Sequence, residues 1–252
     1  SRMSAPQSEK QPEKQADDQN PVAKAVTAGL EMIYERVAVR KDSTLSDARY
    51  HGLVFETWDE YQRRAPFTAM DDIADAHIKT CKVSVSALGA AAGFGGFAAM
   101  VPDALQFVTL TLRMVTGIAS AYGFDPDPKA LDGKVKLLVL QAYLNANLGQ
   151  TAYKGTEAVA VSAATRLFTN VASRADWLIL LLGLIGRIIG IRITRQGILR
   201  TIPLVSSGVN AGFNWHLAQK IARSARAEFK QFRDDLRLGK YKNDPDYAGL
   251  GN

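Results

Sequence analysis

The stretch from Val83 to Pro102, VSVSALGAAAGFGGFAAMVP, constrains this chain more than any other. It carries no charged residue, and about half of its residues are Gly or Ala. A helix of this composition presents a smooth backbone surface that other helices, or a ligand, can approach closely. Four glycines, Gly89, Gly93, Gly95 and Gly96, make one continuous straight helix costly, and a break is expected near Gly95. In length the stretch comes near a bilayer span, but its many glycines and few leucines argue against insertion as an isolated span.

With 252 residues and 47% apolar content, the chain can bury a substantial core. A single cysteine and three histidines argue against a structural zinc site or a disulfide framework. Cys81, without a partner to oxidise with, fits a reducing compartment. The first twenty residues are polar and lack an apolar signal core, so residues 1–20 are expected to form a disordered lead and the protein to be cytoplasmic.

The net charge of +6 is unevenly placed. Arg174, Arg187, Arg192, Arg195 and Arg200 face only Asp176, and seven basic residues between Lys220 and Lys240 face only Glu228, Asp234 and Asp235. Such segments suit anionic partners such as phospholipid head groups, or else form an ordinary solvated face. No nucleic-acid partner is expected, because the basic segments carry no recognition motif.

Helical spacing dominates. Asn20-Pro21 reads as an N-cap and first helical position, followed by Val22, Val26, Leu30, Ile33 and Val37 on one face. A second helix is expected from Ser46 or Asp47 to about Arg64, with Leu53, Phe55, Trp58 and Tyr61 as its aromatic side. Thr68-Ala-Met-Asp71 resembles a capping box and starts a helix carrying Ile73, His77 and Cys81 on neighbouring turns. Pro102-Asp103 starts the next, which runs through Leu105, Val108, Leu112, Val115 and Ala119 to Tyr122 and stops at Gly123.

After the loop Phe124-Asp-Pro-Asp-Pro128, helix resumes from about Pro128 to Leu148, with Val135, Leu138, Val139 and Tyr143 inward. Another is expected between Thr156 and Ser173. The apolar run from Trp177 to Ile191 reads as a buried core helix, since its uninterrupted part is shorter than the roughly 20 residues a span needs. A last helix is expected from about Val209 to Leu238, opened by Gly208, Ala211 and Gly212. Almost nothing alternates with a strand period. The class is therefore all-α, a multi-helix bundle around a Gly/Ala-rich central hairpin, with residues 21–240 as one domain and 241–252 as a tail.

Three blocks taken together resemble the EcsC protein family, a mainly bacterial group. They are Gly89 to Gly96 with Val101-Pro-Asp103; Arg113 with Ile118-Ala and Tyr122-Gly-Phe-Asp125; and Ile202-Pro-Leu-Val with Gly208, Gly212 and Asn214. In order and rough spacing they cover about residues 70 to 235. Ser206-Ser207 departs from the glycine or alanine usual there. The resemblance implies an α-helical domain, in some members associated with membrane transport systems by genomic context, and brings no established catalytic residues.

Two patterns invite chemistry. Asp71-Asp-Ile-Ala-Asp75 has the DDxxD form with which helical prenyl-diphosphate synthases hold magnesium, and its i, i+4 carboxylates share a face; alternatively it is a solvated acidic first turn. His77 and Cys81, also i, i+4, could pair as imidazole and thiolate, but no third group orients the histidine. Asp103 and Arg113 stand in apolar sequence about 15 Å apart on one helix, too far to pair, so each, if buried, needs another partner; Asp103 either caps its own helix or, with Arg113, contacts Arg187, Asn214 or a polar ligand head. Lys134 and Lys136 are expected to face solvent.

The expected function is non-enzymatic: a membrane-peripheral helical protein at the inner face of the membrane, binding lipid or an anionic membrane surface, with a membrane transporter as a further partner and no cofactor. Gly89, Gly93, Gly96, Asp103, Arg113, Gly212 and Asn214 are its candidate ligand-binding residues. Arg192, Arg195, Arg200, Arg223 and Arg226 are its candidate head-group contacts. The alternative is a magnesium-dependent enzyme acting on isoprenoid diphosphates, with Asp71, Asp72 and Asp75 as metal ligands.

Overall fold

The computed structural model describes residues 21–91, 100–148, 185–186 and 206–242. Every regular element among them is helical. In chain order they are α1 (Pro21–Val37), α2 (Lys41–Tyr50), α3 (Trp58–Arg64), α4 (Phe67–Ala91), α5 (Met100–Ala121), a 3-10 turn (Ala130–Gly133), α6 (Lys134–Leu148) and α7 (Ser206–Arg237). The all-α class holds. The expected break near Gly95 and the helix between Thr156 and Ser173 lie outside the described residues, and of the Trp177 to Ile191 run Ile185 and Gly186 are described, both helical and buried.

Helix α5 is the axis of the packing. Its apolar positions Val108, Leu112, Val115, Ile118 and Ala119 are fully buried, each large aliphatic one contributing about 1.5–3 kcal/mol relative to exposure. Three of its small hydroxyls are buried as well, and each is used: Thr111 bonds the Tyr143 hydroxyl of α6 at 2.8 Å, Thr116 donates to the Val37 carbonyl of α1 at 3.2 Å, and Ser120 meets Thr44 of α2 at 2.5 Å. Buried hydroxyls without partners would each cost stability, so these bonds fix which helix lies where. Pro102–Ala121 is long and apolar enough to cross a membrane by composition, yet 72% of it is buried inside the bundle, as in a core helix.

The end of α5 is a junction for three other elements. Gly123, at φ +81°, closes the helix by donating to the Ser120 carbonyl at 2.8 Å, while Phe124 donates to the Ala119 carbonyl at 3.0 Å. That pair of bonds needs a left-handed residue, which glycine supplies without strain. The carbonyls left over are taken from outside. Tyr61 of α3 donates to Ala121 at 2.5 Å, Gln62 to Gly123 at 2.6 Å, and Arg233 of α7 to both Tyr122 and Gly123 at 2.6 Å. The Arg233 guanidinium is buried, lies 4.5 Å over the Phe124 ring and meets no carboxylate among the described residues. The negative end of the α5 dipole takes that role.

Two expected boundaries move. The single helix expected from Ser46 to Arg64 is two, because α2 turns out of register at Gly52 (φ +79°) and α3 restarts at Thr57, whose hydroxyl accepts from the Glu60 amide at 3.1 Å. The Thr57-Trp-Asp-Glu60 pattern carries that signal. Helix α4 begins at Phe67, ahead of the supposed cap at Thr68, and Asp71 is engaged elsewhere. Lys136 is buried against the Tyr34 ring of α1, not solvent-facing.

Candidate functional site

Helices α4 and α7 form the most extensive helix contact among the described residues. They run antiparallel, so the register along the seam can be read from four contacts. Asn214 lies by Val85, Arg226 by Asp75, Lys230 by Asp71 and Arg237 by Phe67. Ala218, Ala222 and Ala225 are fully buried on the inner face of α7 and let the helices close together. Gly212 is exposed, and a Cβ built on it meets no described atom within 4 Å.

The DDxxD carboxylates sit in the middle of this seam. Asp71 accepts from the Tyr122 hydroxyl, from Lys230 Nζ at 2.6 Å and pairs with Arg226 at 3.2 Å; Asp75 pairs with the same guanidinium at 2.6 Å. Burial alone would raise the Asp71 carboxyl, but the bonds from Lys230, Tyr122 and Arg226 outweigh it and hold the group below its usual range. The i, i+4 spacing noticed in the sequence is therefore matched by Arg226 and Lys230, also i, i+4, on the facing helix. Asp72 is exposed on the far side. A magnesium ion at this pair would have to displace two cations, and the described residues contain no group of three or more metal-ligating side chains.

His77 and Cys81 serve packing. The thiol donates to the Leu110 carbonyl of α5 at 3.5 Å, and burial pushes it up to about 12, far from a thiolate at neutral pH. The His77 ring lies on Gly117 of α5, where a Cβ would come within 2.6–2.8 Å of ring atoms. Burial, with Arg113 adding to it and Asp47 opposing, lowers the imidazole below its ordinary range. Gly117 was not singled out from the sequence, although it is the one glycine inside the α5 apolar repeat.

The candidate ligand residues that are described lie on three helices. Gly89 is near the end of α4, Asp103 is half-buried in the first turn of α5, and Arg113 is exposed on α5 near His77. Asn214 donates its amide to the Val85 carbonyl at 3.4 Å instead of pairing with Asp103 or Arg113. Gly93, Gly96, Arg187, Arg192, Arg195 and Arg200 lie outside the described residues.

The basic tally of the last helix also changes meaning. Arg226 and Lys230 are neutralised by Asp71 and Asp75, Arg233 is buried on carbonyls, Arg237 donates to the Gln62 and Ala65 carbonyls, and Lys240 pairs with Asp235. Arg226 is therefore held in the seam by two carboxylates. Lys220 and Arg223 remain on the surface.

A different pattern emerges once the register is known. The sequence holds no Asp or Glu between Asp75 and Asp103, and none between Asp176 and Glu228. Antiparallel packing lays the C-terminal half of α4 beside the N-terminal half of α7, so the two acid-free stretches coincide at one end of the pair. That end carries Lys79, Lys82, Lys220 and Arg223, none paired with a carboxylate among the described residues. It also exposes Val83 at 65%, Trp215 at 43% and Phe213 at 39%. Lys82 Nζ lies 4.3 Å from the centre of the Trp215 ring. The acids of the seam all lie at or beyond Asp75, so the pair of helices is electrostatically polar along its length.

The profile of the EcsC protein family matches residues 7–233. Over 76 residues the chain is 34% identical to an uncharacterized protein, YdbA, of Bacillus subtilis (strain 168). That stretch is 30% of this chain and 28% of that protein, so the chain matches well under a third of the relative's length. No solved structure matches the chain.

Proposed function

The chain belongs to the EcsC protein family, and we propose that it is a membrane-peripheral protein that docks its basic, aromatic end on an anionic lipid surface at the inner face of the membrane. The observation that carries the reading is the coincidence at one end of α4 and α7 of four cations and two exposed aromatic rings, where neither helix carries a carboxylate of its own. Aromatic rings favour the head-group level because one side is apolar and the rim is polar. Each lysine or arginine near an anionic leaflet adds about 1 kcal/mol. The apolar contribution comes from Val83, Phe213 and Trp215, and the cations orient the bundle with this end toward lipid. Association with a transporter is compatible with this pose.

Vesicle sedimentation tests it. The protein is expected to pellet with phosphatidylglycerol-containing vesicles and not with pure phosphatidylcholine, and to be released as salt rises. Equal pelleting with both vesicle types, or with neither, contradicts the proposal.

A further inference from the structure

Away from the basic end, α6 and α7 leave a cleft of about 250 Å³. Its walls include Leu138 and Gln141 of α6 with Glu228, Phe229 and Phe232 of α7, and Tyr241 closes it from beyond the end of α7. The volume is below the range usual for drug-sized ligands, which limits an occupant to a small molecule.

The charge inside the cleft is unbalanced. Glu228 is half-buried, and no cation faces it among the described residues; its carboxylate accepts from the Asn145 amide at 3.3 and 3.5 Å. Burial raises this carboxyl above its usual range, and the bond from Asn145 only partly offsets that. The second acid of the cleft, Asp235, is already served by Lys240 at 2.5 Å and by Gln231 at 2.9 Å. A desolvated carboxylate held by one long amide bond costs stability, and nothing among the described residues requires an acid there. Beside it stand aromatic walls: Phe232 and Tyr241 meet edge to face at 5.3 Å, and Phe229 lines the same cleft.

A lone carboxylate next to aromatic rings is the chemistry that recognises a cationic nitrogen carrying alkyl groups, through charge on one side and the ring faces on the other. We propose that the α6–α7 cleft binds a small organic ammonium ion, with its charge against Glu228 and its alkyl groups against Phe229, Phe232 and Tyr241. This site is separate from the lipid-facing end, since Glu228 follows Trp215 by thirteen residues along α7, about 20 Å of helix.

The test is a calorimetric titration of the full chain with choline chloride at constant chloride. The uncharged carbon isostere 3,3-dimethylbutan-1-ol is titrated in parallel. Choline is expected to saturate one site, with the alcohol at least tenfold weaker. Glu228→Gln keeps the shape and an amide-compatible contact, and is expected to weaken choline at least tenfold while leaving the circular dichroism spectrum unchanged. Tyr241→Leu is expected to weaken it about fivefold through loss of the ring face. Glu228-dependent binding of glycerophosphocholine as tight as that of choline would place the ammonium on a lipid head group, and choline binding with glycerophosphocholine at least tenfold weaker places it on a free ion. No saturation by choline at millimolar concentration, equal binding of the alcohol, or wild-type affinity in Glu228→Gln overturns the proposal. None of these results touches the binding of anionic vesicles, so the two readings fail independently.

Discussion

Replacing Arg233 by Met sets the strongest local forces in this fold against each other. The guanidinium makes two hydrogen bonds at 2.6 Å to the Tyr122 and Gly123 carbonyls and lies over the Phe124 ring. Bonds from a charged donor contribute about 1.5–3 kcal/mol each, and the ring contact about 1–2 kcal/mol. Against that stands desolvation: burial, with Arg237 nearby, lowers the guanidinium to about 10 from 12.5, a penalty on the charged form of about 3 kcal/mol. Methionine removes both sides of the ledger and leaves the Tyr122 carbonyl unpaired, while Gly123 keeps Gln62. The bonds win, and Arg233→Met is expected to lose about 2–4 kcal/mol in urea unfolding followed by circular dichroism. Arg233→Lys, which keeps the charge but not the fork, is expected to lose about 1–3 kcal/mol. A methionine variant as stable as the wild type, or more so, refutes the view that the α5 terminus needs this cation, and would place Arg233 among buried charges that a hydrophobe replaces without loss.

Two further perturbations follow from the same contacts. Gly117→Ala drives a methyl into the His77 ring and is expected to cost about 1–3 kcal/mol; the cost should shrink in a His77→Ala background, as a thermal-melt double-mutant cycle will show. Asp71→Asn removes the anion shared by Lys230 and Arg226, pairs that are partly exposed, so about 1–2 kcal/mol is expected. The Asp71 carboxyl is depressed in the folded state, so its contribution is present above its unfolded pKa, about 4, and is lost as pH falls through the lower folded value. The variant should therefore lose less stability than the wild type on acidification, and millimolar magnesium should leave the wild-type melting temperature unchanged. A magnesium-dependent rise abolished by Asp71→Asn would instead support the diphosphate-enzyme alternative.

Much of the architecture was legible because it depends on local rules. Asn20-Pro21 marked α1, Pro102-Asp103 and Gly123 bracketed α5, and Val108, Leu112, Val115 and Ala119 are buried as their spacing requires. The split between α2 and α3 was carried by Gly52 and the Thr57 cap, signals that the aromatic run from Leu53 to Tyr61 masked. The site was less legible because charge has meaning only across helices. Asp71 and Asp75 read as a metal motif until Arg226 and Lys230 are seen opposite them. Seven basic residues read as a membrane-facing segment until five prove to be bound internally. The acid-free end was present in the sequence as two gaps, but only the antiparallel register makes them one surface.

The most direct measurement of the membrane-docking claim is a pair of charge reversals compared on the same phosphatidylglycerol vesicles. Lys220→Glu with Arg223→Glu reverses two cations at the basic end; Arg63→Glu with Lys242→Glu makes the same change in net charge beyond the other end of α7. At about 1 kcal/mol per basic residue, loss of two contacts predicts roughly thirtyfold weaker binding for the first pair and near wild-type binding for the second. Equal losses in both variants would show attraction by net charge alone and contradict a docking face built from α4 and α7.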